Sequence, residues 1–307
     1  MKTAFNLDVV SAQFPCGAAW LANAMLELQL PLRHLWGFDT FNEWTVLEAG
    51  LWRYSAQHLP WRQTLASLRL EREFRFRDDM LPRFSHAFPW QLNMCTKVVL
   101  MVRDPRDALY SEWRRHLQNS GLATNIGFVD FLRQPFNDGP ISNMDMLWLH
   151  CCSWLSFLQN NSKAVYLLRF EDWKRHPVKS LGDVCQWIGL MASPSELAFA
   201  AKASEVSHLQ RIESDLLACN PASKQYNRAG QVEEWRGVWQ HEWSAAFGGH
   251  WKPVLDALGY AAIQIDAVVQ PAFSIDEVLD WRGLKDPDQL VYWKDVLATW
   301  NATCSAG

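Results

Sequence analysis

The stretch Lys97–Val102 (KVVLMV) constrains the fold more than any other part of this 307-residue chain. Its apolar residues run on without polar alternation, so a strand made from them must be covered on both faces, as in a parallel sheet between helices. Two further segments fit the same scheme. Leu7–Phe14 (LDVVSAQF) reads as a short strand, and Ala164–Phe170 (AVYLLRF) as another buried one. Each is followed by helical spacing. Ala18–Leu30 carries Trp20, Leu21, Met25 and Leu28 on one side and is stopped by Pro31. Ala108–Leu117 and Asn143–Leu158 read as helices, and Pro177–Ile188 as one with proline at its start. Buried strands alternating with helices predict an α/β fold: a single domain, residues 1–260, with a central, mostly parallel sheet flanked by helices. Residues 32–80 mix aromatics with charge and read as loops and short helices. Beyond 260 the character changes. A capping box at Ser274–Glu277 and the pair Asp286–Pro287 each open a helix, which makes 261–307 a helical C-terminal extension.

Composition narrows the partners. A formal charge of −4 with no basic stripe argues against nucleic acid. The seven cysteines are scattered, with no CxxC or Cys/His ligand spacing, which fits reduced thiols in a cytoplasm and no metal site. The N-terminal apolar run is interrupted by Asp8, Gln13 and Asn23 and split by Pro15 and Gly17, so it reads against a signal peptide. No uninterrupted apolar run reaches membrane-spanning length. The 18 tryptophans and 16 phenylalanines exceed ordinary usage; most belong in the core, and a few can line a pocket for a flat ligand.

The chemistry concentrates after the central strand, in VRDPRDALYS. An arginine at a strand end (Arg103) and a serine one helix start later (Ser111) can face one anion. The guanidinium offers a planar fork of donors, and the helix N-terminus adds exposed N–H groups. The alternative from spacing alone is a structural ion pair between Arg103 and Asp104.

RDPRDALYSEWRRH resembles the 3′-phosphate-binding motif of the sulfotransferases that use 3′-phosphoadenosine 5′-phosphosulfate, PAPS. Further segments resemble that family's motifs in the family's order, over about residues 5–260. The resemblance implies a P-loop-like sulfotransferase fold, with Arg103 and Ser111 on the ribose 3′-phosphate. PRFSHAFP (Pro82–Pro89) is similar to PRxxxTHxP, which makes His86 the implied catalytic base. LLRFEDWKRHP is similar to FxYEDxKxxP and puts Phe170 against adenine; Ser204 is a weaker match to an adenine-contacting serine. NRAGQVEEWR is similar to RKGxxGDWK, so Arg228, Ala229 and Gly230 belong to a loop over the 3′-phosphate, with alanine where the family has lysine.

The turn FPCGAAWL resembles YPKSGTTWL, the loop around the 5′-phosphosulfate. Cys16, Gly17, Ala18 and Ala19 would offer backbone N–H groups, and Trp20 would stack on adenine. The segment aligns with one residue missing: the family's lysine has no counterpart, and both threonines are alanines. That lysine's role, stabilising charge on the leaving oxygen, would fall to another cation, with Arg83 and Arg106 as candidates. The implied reaction moves a sulfuryl group from PAPS to a hydroxyl or amine and releases adenosine 3′,5′-bisphosphate.

The acceptor pocket is expected from the segment after the first helix, where Trp36, Phe38 and Asp39 stand in an aromatic and acidic run. Such a run suits a cationic small molecule, or is simply core and solvated surface. His150 and Trp154 are further candidates for its border. Two rivals remain at this stage. One is an inactive bisphosphate-binding protein of the same fold, favoured by the absent lysine. The other is a small-molecule P-loop kinase, disfavoured because no GxxxxGK[ST] is present. The family's dimerisation motif is not recognisable around Arg236–Glu242, so oligomeric state is left open.

Overall fold

The computed structural model describes residues 7–30, 32–34, 83–92, 97–119, 126–219, 228–247, 249–260, 273–281, 284 and 286–305. Its core is a five-stranded parallel sheet, β1 (Leu7–Ser11), β2 (Arg33–His34), β3 (Arg83–Ser85), β4 (Lys97–Val102) and β5 (Val165–Arg169), in the order β2-β3-β1-β4-β5. In register, Val9 faces Phe84 on one side and Val99 on the other, and Val102 faces Arg169. β1 is buried throughout, as its neighbours on both sides require. Even Asp8 is covered, its carboxylate held by Arg83 at 2.5 and 2.7 Å.

All strands run the same way, so their C-terminal ends meet at one edge. From β1 the chain goes to β2 and returns through β3 on one side, then crosses to β4 and β5 on the other, and ligands of open α/β sheets bind in the crevice outside such a switch point. Four segments converge there: Ala12–Gly17 after β1, His86 after β3, Arg103 after β4 and Phe170 after β5.

The helices largely follow the expected positions. α1 (Ala18–Glu27) ends three residues before the predicted limit, because Gln29 adopts φ +64° and the Leu30 N–H closes onto the Met25 carbonyl. α2 (Pro105–Asn119) starts three residues earlier than its apolar spacing suggests; Pro105 occupies the first turn, where no N–H is needed. After α3 (Phe128–Arg133), α4 (Asn143–Asn160) passes through the middle of the molecule with most of its length buried, capped by Ser142 accepting from the Asp145 N–H. The strand expected over Ala164–Phe170 differs in two ways. It lies at the sheet edge with Tyr166, Leu167 and Arg169 half-covered, and Phe170 opens α5 (Phe170–Arg175) instead of closing the strand. An apolar run does not distinguish an edge position from a central one. α6 (Pro177–Ile188) follows as read and ends at Gly189 with φ +82°. α7 (Pro194–Ala203), α8 (Val206–Cys219), α9 (His241–Phe247) and α10 (Lys252–Ala257) complete the layers around the sheet.

The C-terminal segment is helical where described, as α11 (Ile275–Trp281) and α12 (Pro287–Ser305). Leu279, Leu284 and Trp293 form a small buried cluster of their own, and other residues of the segment join the main core. Val278 and Leu297 enter the cluster that holds Trp148, Trp154 and Trp251, and the Trp293 ring packs against Trp90 at 5.1 Å. Among the described residues no helix is long and apolar enough to cross a membrane.

Candidate functional site

The edge where the strands end encloses a cavity of about 320 Å³, and most of the residues singled out in the sequence line it. His86 is set by β3. Its Nδ1 lies 3.1 Å from the Ser11 carbonyl and 3.5 Å from the Ser11 hydroxyl, and its ring meets Phe84 edge-on. A carbonyl only accepts, so Nδ1 carries the proton and Nε2 the lone pair.

Arg103 braces the cavity floor. Its guanidinium donates from Nε and Nη2 to Asp107 Oδ2 (3.1 and 2.9 Å), from Nη1 to the Pro15 carbonyl (3.0 Å) and from Nη2 to the Gln231 carbonyl (2.9 Å). It also lies 4.5 Å over the Phe170 ring. A guanidinium has five N–H donors; four are engaged here, leaving one Nη1 hydrogen for a ligand. The ion pair with Asp104 that spacing allowed is not formed. Asp104 takes Arg106 instead, at 2.6 and 2.8 Å, and Arg106 stacks over Trp235.

Asp107 ties a second strand of chain to this floor, accepting from the backbone N–H groups of Glu233 (3.1 Å) and Trp235 (3.4 Å). Burial pushes its carboxyl above the ordinary value, and Arg103 opposes that shift. The loop so anchored contributes Arg228, Ala229 and Gly230 to the cavity wall. Arg228 is forked onto Glu234, which holds the Glu234 carboxyl below its ordinary value, while Arg228 Nε is buried with no hydrogen-bond partner.

Two glycines shape the walls. Gly17 (φ +80°) and Gly230 (φ +59°) both need the left-handed region, and a Cβ on either would strike the rings of Phe170 and Trp20 respectively. Those two rings lie 5.5 Å apart and form an aromatic side wall, with the Lys174 ammonium 4.7 Å over Trp20. The Gly17 carbonyl accepts from Trp20 and Leu21 N–H, so the first N–H groups of α1 are left without helical partners, as at any helix start. Burial pushes the Cys16 thiol up to about 12, so it lines the cavity as a neutral group.

A family model described as the sulfotransferase domain matches residues 46–257, well over half of the chain. The chain belongs to the sulfotransferase domain family. A curated relative, cytosolic sulfotransferase 1 of Arabidopsis thaliana, is 24% identical over 148 residues; the match covers 46% of this chain and only 44% of that protein. Among solved structures, the fold resembles mouse sulfotransferase SULT7A1 complexed with PAP (TM-score 0.50, 18% identity, covering 96% of this chain and 90% of that one). It also resembles retinol dehydratase in a complex with retinol and PAP (TM-score 0.54, 14% identity, 87% and 83% covered). At such identities the likeness concerns the fold. The family match begins beyond the Pro15–Gly17 turn, whose place in the site therefore rests on the geometry above.

Not every residue expected in the site reaches the cavity. Cys16, Gly17, Ala18, Trp20, His86, Arg103, Ser111, Phe170, Arg228, Ala229 and Gly230 do. Ala19 continues α1. Ser204 is buried at the end of α7, where its hydroxyl donates to the Ala200 carbonyl at 2.9 Å. His150 and Trp154 are core residues of α4 and do not border the cavity. The Trp154 Nε1–H donates to the Ala87 carbonyl (3.0 Å), which fixes the chain next to His86. Trp36, Phe38 and Asp39 lie outside the described residues. The substitutes considered for the absent lysine are committed elsewhere, Arg83 to Asp8 and Arg106 to Asp104. Sequence reasoning missed Ser11, Glu112, Arg115, Phe136 and Asn137, all on the wall. Arg115 stands four residues from Ser111 on the same helix, a spacing that shares a face but by itself looks the same on a solvated surface.

Proposed function

We propose that the chain transfers a sulfuryl group from PAPS to a hydroxyl or amine of a small molecule. The observation that carries this reading is the convergence of His86, Arg103, Ser111 and Arg228 on one cavity from three separate segments. The residues present suit an adenosine bisphosphate: the partnerless Arg228 Nε and the spare Arg103 hydrogen await acceptors, and bare backbone at Gly17 and Gly230 lets the Phe170 and Trp20 rings close against it as a wall. Trp20 and Phe170 supply the aromatic wall for a purine.

PAPS supplies an activated sulfuryl group: the acceptor oxygen or nitrogen forms the new bond to sulfur while the bond from sulfur to the 5′-phosphate oxygen breaks. His86 holds its proton at Nδ1 against the Ser11 carbonyl and receives the acceptor's proton at Nε2. The start of α1 faces the 5′-phosphate with N–H groups, and Arg103, Ser111 and Arg228 hold the 3′-phosphate. Positioning does most of the work, as in phosphoryl transfer.

For the acceptor we favour a cationic specialised metabolite, on the aromatic and acidic run that contains Trp36, Phe38 and Asp39. A second reading, bisphosphate binding without transfer, is favoured by one observation: among the described wall residues no cation comes from the Cys16–Trp20 turn. Incubation with labelled PAPS and a panel of phenols, alcohols, amines and guanidines separates the two. Labelled product that disappears in His86→Ala supports transfer; tight bisphosphate binding with no product from any acceptor supports the second reading.

A further inference from the structure

We infer that Arg115, on α2, supplies the 3′-phosphate contact that Ala229 cannot make. This rests on the reading of the cavity as an adenosine bisphosphate site. Arg115 stands four residues after Ser111, on the same helix face, and both line the cavity. The same cavity is lined by Arg228, Ala229 and Gly230, where the similar RKG pattern would place a lysine beside the arginine. The charge missing from the loop is therefore present on a helix that lines the same cavity.

The need for it follows from donor counting. Arg103 has one hydrogen left after bracing Pro15, Asp107 and Gln231, and the charge of Arg228 is already balanced by its fork onto Glu234, which takes two of its donors. A doubly charged phosphate beside Ser111 would also meet Glu112, which lines the same wall. Arg115 pairs with that carboxylate, with both side chains about three-quarters buried. It thus balances the one acid on the described wall and brings a guanidinium charge beside Ser111. The arrangement makes α2 a two-point grip, hydroxyl and guanidinium one turn apart.

The test compares adenosine 3′,5′-bisphosphate with adenosine 5′-monophosphate by calorimetry on the full chain. Wild type should prefer the bisphosphate; if it does not, the proposed function fails, whatever Arg115 does. Given that preference, Arg115→Ala should weaken bisphosphate binding by about tenfold or more while monophosphate affinity stays within about twofold. Adding Ala229→Lys to Arg115→Ala should recover most of the loss. An unchanged bisphosphate preference in Arg115→Ala, an equal loss for both nucleotides, or no recovery with Ala229→Lys would each overturn the inference. Should Arg115→Ala fail to fold, Glu112→Gln/Arg115→Gln removes the pair together and is read by the same ratio.

Discussion

His86 is prepared for one direction of proton transfer by a single backbone carbonyl. With Nδ1 donating to Ser11, the tautomer with its lone pair on Nε2 is the one that suits the hydrogen bond. His86→Ala is expected to abolish sulfate transfer while bisphosphate affinity, measured by calorimetry, changes by less than about twofold, because the phosphate contacts lie on other segments. Glu233 shows a cost at the same scale. It holds φ +59° where the similar RKGxxGDWK pattern has glycine, and its side chain makes only exposed contacts to Arg175 and Arg236. Glu233→Gly should stabilise the fold by about 1 kcal/mol, read as a higher thermal midpoint. A lower midpoint would mean that those exposed pairs outweigh the backbone strain.

At the scale of elements, the loop over the cavity is held by charge. Because Arg228 keeps the Glu234 carboxyl below its ordinary value, the unfolded chain takes up that proton more readily than the folded one. The stabilisation is then complete above the unfolded value, near pH 4.5, and fades as pH falls through the folded one. Denaturant melts should therefore show wild type more stable than Glu234→Gln at pH 7, with the gap closing on acidification; a gap independent of pH would remove the pair from the account. The capping box of α7 makes a contrasting case. Ser193 Oγ accepts from the Glu196 N–H, and Glu196 accepts from the Ser193 N–H at 2.7 Å, far from the cavity. Ser193→Ala should cost about 1 kcal/mol with transfer per folded molecule unchanged. Elements whose cause is local were legible in the sequence: the unalternating KVVLMV strand, the Pro105 turn, the Pro177 helix start. What depends on distant chain was not. Nothing near Asp107 in sequence indicates that its carboxylate collects the N–H groups of Glu233 and Trp235, and a charged Arg115 on a helix reads as solvated surface until the rest of the cavity wall is known. His150 and Trp154 mislead for the same reason, since a polar ring in a helix looks the same whether it meets a ligand or the core.

Across the whole molecule, the C-terminal helices brace the catalytic edge. Trp293 on α12 packs on Trp90, Trp90 stacks on Phe88 at 4.4 Å, and Phe88 is two residues from His86. Trp293→Ala should cost about 3 kcal/mol of stability. It should also lower transfer by about tenfold in the protein that remains folded, with bisphosphate affinity nearly unchanged. Equal activity per folded molecule would restrict Trp293 to packing. The clasp at Asp107 has a consequence in time as well as in space. One carboxylate holds both Arg103 and the backbone of the Arg228–Gly230 loop's continuation at Glu233 and Trp235, so the proposed nucleotide site is tied together at a single point. Egress of the spent nucleotide should proceed as a single relaxation, and Asp107→Asn should shorten the dwell time of the bound bisphosphate more than it slows its arrival.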